Sequence, residues 1–393
     1  MPIVTLSRLG IVAVSLLLLW RIIHVNAVMY ADTGRPRLPA DSSYGATERE
    51  TLLGLIRENP AQVAALLVLA REFERESDAK RAARAYELAY QLAPDDREVL
   101  GTAAEFQLRN GNVAEGMGLL GRLAESYPET RERIFPVLAG ILASRQHAQA
   151  WDAVVARGQD WIGPFVLASC TRGVDPALLV PLQLKRIGSR KVAPQETECL
   201  IEKLRLAGQW EQAYQLWLNS LPRERLADVG FVFNGSFEYA SGGNGFDWIA
   251  TRRPEREVGH TVDMVATMGA AGKRALRVTF NGKRQAGIPI AQFLALSPGR
   301  YVLSGQGRPE GVKAGHGVQW AVRCVSDERP GAPIAASERF VGSSEWRRFE
   351  FDVTISPGCA GQVLQLEPVG MDEGPTYLAG IVWFDDLVLR RGG

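Results

Sequence analysis

Apolar positions in the first half of the chain recur with the period of a helix. Leu66, Leu69, Ala70 and Phe73 stand at i, i+3, i+4 and i+7, on one helical face. Ala82, Tyr86 and Ala89 form a second face, and Pro94 closes the unit. The frame then returns, because Pro60, Pro94 and Pro128 are spaced by 34 residues. A fixed period of this length marks a repeat architecture. In the next unit Leu100, Ala103, Ala104 and Gln107 take the first-helix positions. Gly111-Asn112 supplies the turn, and Gly116, Leu120 and Leu123 take the second helix. A third unit runs through Ile134, Val137, Leu138 and Ile141, then Ala150 and Val154, with Ile162 in the closing position. Ahead of the first unit, Thr47 and Glu50 have capping-box spacing for a helix carrying Leu52, Leu55 and Ile56. From Pro164 to Pro194 the period is lost, although Leu178, Leu179, Leu182 and Leu184 indicate a packed segment. A last helix pair is expected over Glu196 to Leu221, with Leu200, Ile201 and Leu204 on one helix and Ala213 and Trp217 on the other.

After Leu221-Pro222 the pattern changes from a helical period to alternation. Leu276, Val278 and Phe280 alternate with Arg277 and Thr279. Gly317 to Val325 places Val318, Trp320, Val322 and Cys324 on one face, with Gln319 and Arg323 on the other. Trp346 to Ile355 aligns Phe349, Phe351 and Val353, and Gln362 to Pro368 and Tyr377 to Leu389 complete the set. About nine strands are expected, enough for an all-β two-sheet sandwich.

The helical pattern is large, large, small, aromatic, then small, aromatic, small, then proline. It resembles the tetratricopeptide repeat. That resemblance implies an α-solenoid of stacked helix pairs whose concave groove holds a peptide or a partner protein. Trp210, Tyr214 and Trp217 read first as core or domain-contact residues, since buried aromatics are mostly packing.

Two phrases at the ends of the β region carry a second resemblance. Phe233-Asn234-Gly235-Ser236-Phe237-Glu238 leads to Gly245-Phe246-Asp247-Trp248, and Val382-Trp383-Phe384-Asp385-Asp386-Leu387-Val388-Leu389 closes the chain. Between them stands Ser297-Pro298-Gly299-Arg300-Tyr301. Together they resemble the jelly-roll, galactose-binding-like carbohydrate-binding modules of bacterial xylanases and glucanases. The resemblance implies a structural calcium, with Glu238 and Asp385 or Asp386 as oxygen ligands, against the alternative that these acids bond loop amides. A sugar would need polar side chains and aromatic platforms. If the large apolar residues face the core, the opposite face presents Arg277, Thr279, Gln319, Arg323, Gln365 and Glu367; Trp248 and Trp346, near strand starts, are platforms or core residues. An ordinary solvated sheet face is the competing reading.

The expected organisation is therefore a leader over 1–30, a linker over 31–45, helical repeats over 46–222 and a jelly roll over 227–393. Leu9 to Trp20 is an apolar run of twelve residues flanked by Arg8 and Arg21. Extended to Tyr30 it is long enough for a membrane anchor. A cleaved signal peptide ending at Val25-Asn26-Ala27 is the alternative. Either reading puts the bulk of the chain outside the cytoplasm, in a bacterial periplasm or secreted. Four cysteines suit that compartment, and their positions suggest one bridge per domain, Cys170 with Cys199 and Cys324 with Cys359. A net charge of +1 gives no electrostatic case for nucleic acid. The four histidines, His24, His147, His260 and His316, form no metal-binding pair, and no nucleophile elbow occurs. Gly269 to Lys273 has the wrong spacing for a phosphate loop. The sequence thus points to a non-catalytic, membrane-tethered scaffold that binds a protein and contacts a polysaccharide, as an accessory to exopolysaccharide production or export. The alternatives are a protein-only scaffold of an envelope complex and a carbohydrate-active enzyme.

Overall fold

The computed structural model describes residues 46–188, 192–250, 259–267, 272–285, 289–313, 317–326, 329–370 and 377–392. The chain divides into two compact units, Met1–Leu92 and Ala93–Gly393. The expected anchor and linker lie outside the described residues. Among the described residues no helix is long and apolar enough to cross a membrane.

The first unit contains α1 (Ala46–Glu58), α2 (Val63–Arg75) and α3 (Ala79–Leu92). Helix α1 already includes Thr47, so Thr47 lies inside the helix and does not cap it. Leu66, Leu69, Ala70, Ala82, Tyr86 and Ala89 are buried, as the period predicts. Methyl groups at Ala70, Ala82 and Ala89 let α2 and α3 close on each other. The Tyr86 hydroxyl donates to Glu74 Oε2 at 2.8 Å, which satisfies the polar end of a buried ring. Phe73 is half-buried, with the guanidinium groups of Arg49 and Arg81 at 5.7 and 4.8 Å.

The second unit opens with α4 (Arg97–Arg109) and α5 (Val113–Ser126). Asp96 caps α4 by accepting from the Glu98 and Val99 amides at 2.9 and 3.1 Å. Gly116 stands where the repeat has alanine because the helices are closer here. A Cβ on it would lie 2.7 Å from Leu108 Cγ. Helices α6 (Arg131–Ala143), α7 (Ala148–Ala156), α8 (Ile162–Thr171) and α9 (Pro176–Arg186) follow. The third repeat face differs from expectation, since Val137 is 49% exposed and Phe135 is buried in its place. The reason is an aromatic cluster. Phe135 meets Phe165 edge-on at 5.6 Å, and Trp151 stacks on Phe165 at 5.2 Å, which turns α6 toward α8. Ile162 opens α8 and is buried. Pro164 is tolerated in the first turn of α8, where amides lack helical acceptors. The region without a period is thus helical, with its repeat spacing lost to packing. Helices α10 (Pro194–Leu206) and α11 (Trp210–Ser220) form the last pair. The Cys170–Cys199 disulfide joins α8 to α10, and the buried Arg186–Glu196 ion pair, 2.6 Å long, ties α9 to α10.

A short 3-10 helix, Arg223–Asp228, leads into the sandwich, whose described residues form ten strands in two antiparallel five-stranded sheets. The strands are β1 (Ile249–Ala250), β2 (His260–Ala266), β3 (Arg274–Arg284), β4 (Ile290–Leu294), β5 (Gly299–Lys313), β6 (Val318–Ser326), β7 (Arg329–Ala336), β8 (Arg347–Ile355), β9 (Gln362–Pro368) and β10 (Tyr377–Arg391). One sheet has the order β1-β4-β9-β6-β7 and the other β2-β3-β10-β5-β8. Their facing sides bury Trp320, Leu276, Val278, Leu303, Leu364, Leu366 and Phe384. The opening phrase of the domain is part of this core. Asn234 takes φ +50°, Phe237 is fully buried, and Trp248 Nε1 donates to Asn234 O at 3.0 Å. Gly235 is required for a close approach, since a Cβ there would sit 2.0 Å from Leu387 O. Cys324 and Cys359 are bonded, joining β6 to the turn before β9.

The helices and the sandwich of the second unit meet through aromatic rings. Trp217 packs against Phe233 at 5.1 Å and Phe246 at 5.7 Å, and Tyr214 meets Phe246 edge-on at 5.2 Å. Trp210 lies 5.9 Å from Phe293 on β4. These are domain contacts, the first of the readings given to the three aromatics. Two glycines make them possible. A Cβ on Gly245 would fall 2.3 Å from Trp217 Cδ1, and one on Gly361 would fall 1.9 Å from the Trp210 indole. Both backbones are therefore flush with a ring. Gly361→Ala is expected to destabilise the chain by about 1–3 kcal/mol through overpacking. Gly140→Ala, inside α6 with no atom within 4 Å of the new methyl, is expected to be neutral or stabilising by up to about 1 kcal/mol. Urea melts of the two variants check the contrast.

Candidate functional site

The outward face of the β1-β4-β9-β6-β7 sheet gathers four of the polar residues read from the sequence. Register does this. Gln319 on β6 faces Glu367 on β9, Ala321 faces Gln365, and Arg323 faces Val363. Alternation sends the intervening Trp320, Val322, Leu364 and Leu366 into the core. The Glu367 carboxylate is the centre. Its Oε2 accepts from Arg323 Nε at 3.0 Å and Gln365 Nε2 at 2.7 Å. Its Oε1 accepts from Arg323 Nη2 at 3.2 Å and Gln319 Nε2 at 3.2 Å. Arg323 thus grips the carboxylate with two bonds, a geometry that only a guanidinium provides. Gln365 is flanked by Ala291 on β4 and Ala321 on β6, whose small side chains leave it room to reach Glu367. At one end of the same face lies Phe293, with the Arg205 guanidinium 4.0 Å above its ring. Burial lowers the pKa of Arg205, against the opposing charge of Glu202.

The other expected sugar residues are elsewhere, which corrects the single-face expectation. Arg277 and Thr279 lie on β3, in the second sheet. The two sets occupy opposite sides of the sandwich. Alternation assigns a residue to a side of its strand, but not to a sheet. Trp248 is fully buried against Phe237 and Trp320, at 5.3 and 5.6 Å, so it cannot serve as a sugar platform. Trp346 is half-buried and joins a row on the outer face of the second sheet. There the Arg277 and Arg308 guanidinium groups lie 5.6 and 5.1 Å from the Trp383 ring, and Arg308 also lies 5.4 Å from Trp346. Arg308 and Trp383 are not among the sugar residues expected from the sequence, because the pairing of β10 between β3 and β5 is what brings them together.

The acids expected to ligate calcium are also apart in role. Glu238 Oε1 accepts from the Lys273 and Arg274 amides at 2.6 and 3.0 Å, the loop-amide alternative. Asp385 is fully buried and accepts from the Asp386 amide at 2.8 Å, while Asp386 takes φ +59° at a bulge. Among the described residues no three His, Cys, Asp or Glu side chains are grouped to hold a metal ion.

A model of the tetratricopeptide repeat family matches residues 75–154. Over those residues the chain is similar to tetratricopeptide repeats. No curated protein matches the chain. Among solved structures, one described as a CBM4 structure is similar over 41% of this chain and 99% of its own, at 17% identity and a TM-score of 0.31. The CBM22-1 xylan-binding domain of Paenibacillus barcinonensis Xyn10C is similar over 40% of this chain and 91% of its own, at 17% identity and a TM-score of 0.27. TmCBM61, solved with β-1,4-galactotriose, is similar over 42% of this chain and 99% of its own, at 17% identity and a TM-score of 0.26.

One more carboxylate stands out, at the junction of the sandwich with the last helix pair. Asp247 is buried, and its Oδ2 and Oδ1 accept from the Gly242 and Trp248 amides at 2.6 and 2.7 Å. Burial raises its pKa, and the two amides and the Arg225 charge oppose the shift without cancelling it. A raised folded-state pKa means that the native protein holds the proton more tightly than the unfolded chain. That stabilisation is fully present below the unfolded value of 3.8 and is lost as pH rises through the elevated folded value. The stability of the parent relative to Asp247→Asn should therefore fall as pH rises from about 3 to about 7, read from denaturant midpoints. A difference independent of pH would contradict it. On the sheet face, Glu367→Ala removes the carboxylate from a buried guanidinium and is expected to cost about 3–5 kcal/mol. Gln319→Ala, at a half-buried position, should cost about 1 kcal/mol.

Proposed function

We propose that this chain is a non-catalytic scaffold whose repeats bind a protein partner and whose sandwich contacts a saccharide. The observation that supports the sugar reading is the Gln319–Arg323–Gln365–Glu367 network on one sheet face. Two amides and a guanidinium donate there to one carboxylate, beside the small side chains of Ala291 and Ala321. Sugar hydroxyls exchange hydrogen bonds with such groups at little electrostatic cost, because the face is neutral overall. The tetratricopeptide match over residues 75–154 supports the protein-binding half. In this reading Leu9 to Tyr30 tethers the chain at the inner membrane with its bulk in the periplasm. The scaffold then serves exopolysaccharide production or export.

Calorimetric titration of the whole, oxidised chain with a panel of neutral and acidic polysaccharides tests the sugar half. Saturable binding is expected, weakened about 2- to 10-fold by Gln365→Ala, the effect of one neutral hydrogen bond. A second reading, a scaffold for proteins alone, draws on the four internal bonds that occupy Glu367. No binding across the panel would favour it and overturn the saccharide reading.

A further inference from the structure

A cavity of about 410 Å³ opens at the junction of the helices and the sandwich, away from the polar sheet face. It falls within the roughly 300–1,000 Å³ typical of small-molecule sites, which favour domain junctions. Several parts of the chain line it. Glu198 comes from α10 and Trp217 from α11, Arg225 from the connecting 3-10 helix, and Asn244 and Asp247 from the loop before β1.

The walls are held in place by contacts already in the fold. The 241–245 loop lies flush on the Trp217 ring at Gly245, and Arg205 Nη1 donates to Gly245 O at 3.1 Å. The Asp247 amide closes the turn onto Asn244 O at 3.0 Å. Asn244 Nδ2 bridges back to the helices by donating to Glu198 Oε1 at 2.6 Å. The Arg225 guanidinium is stacked 3.7 Å from the Tyr239 ring, which fixes it at the edge of the cavity.

We infer that this cavity binds a single neutral sugar ring, free or at a chain end, an inference that rests on the saccharide reading above. The donors and acceptors are mixed. Two carboxylates supply acceptors, and Arg225 and Asn244 supply donors, the combination that a vicinal diol satisfies at both oxygens. Trp217, Phe233 and Ile201 give an apolar wall for the C–H face of a ring. An anionic ligand is disfavoured, because two carboxylates face one guanidinium that is already stacked. The volume suits a ring or two, as at a chain end, rather than the middle of a long strand.

The test titrates the whole chain with neutral mono- and disaccharides, with one long neutral polysaccharide as reference. Saturable monosaccharide binding is expected, reduced at least tenfold by Glu198→Gln or Asn244→Ala and unchanged by Gln365→Ala. Unfolding midpoints of the variants guard against a folding defect, and Ser220→Ala at the exposed rim serves as a milder second probe. Monosaccharide binding lost with Gln365→Ala and kept by the junction variants would overturn the inference. Polysaccharide binding without any mono- or disaccharide binding would also overturn it, while leaving the sheet-face reading intact. Binding of no saccharide at all would overturn both.

Discussion

The packing of Trp210 and Trp217 against glycine backbone is the contact on which the second unit depends. A helix pair and a β sandwich each have a core of their own, and nothing in either core forces them together. What joins them is a set of rings on α11 whose partners are Phe233, Phe246 and Phe293. Aromatic pairs at these distances add to the area they bury, but only if the backbones can come close enough. Gly245 and Gly361 provide that approach. The junction cavity and the position of Arg205 over the sheet face both follow from this docking.

The sandwich shows how far polar groups can be removed from water when they satisfy one another. Glu367 and Arg323 have side chains only 4% and 8% exposed, which would be costly for either alone. Gln319 and Gln365 complete the carboxylate's bonding, so the ion pair is both neutral and saturated. Such a network fixes its own geometry, which is the property a recognition surface needs. It also means that a ligand must exchange bonds there rather than find free ones.

Much of this was legible in the sequence, and the failures have physical causes. The 34-residue spacing and the small residues at Ala70, Ala82 and Ala89 specify helix pairs because two helices cannot close over larger side chains. Alternation along β6, β8 and β10 specifies strands for a similar reason. Val137 departs from its expected face because Phe135 has a better partner in Phe165, a contact between segments that no local pattern encodes. Arg277 and Gln319 were placed on one face because period two says nothing about which sheet a strand joins. Trp248 stands near a strand start, which fits a platform or a core residue alike, and its packing on Phe237 and Trp320 is a contact between segments that decides for the core. The glycines at positions 245 and 361 carried a signal that only the opposing tryptophans make readable.

Hydrogen exchange on the whole chain, with and without Trp210→Ala, tests the account most directly. If the aromatic junction couples helices to sandwich, losing Trp210 should weaken protection in α10, in α11 and in strands β4 and β9 together. Loss of protection confined to the helices, with β4 and β9 unchanged, would show that the two halves are stable independently and would contradict it.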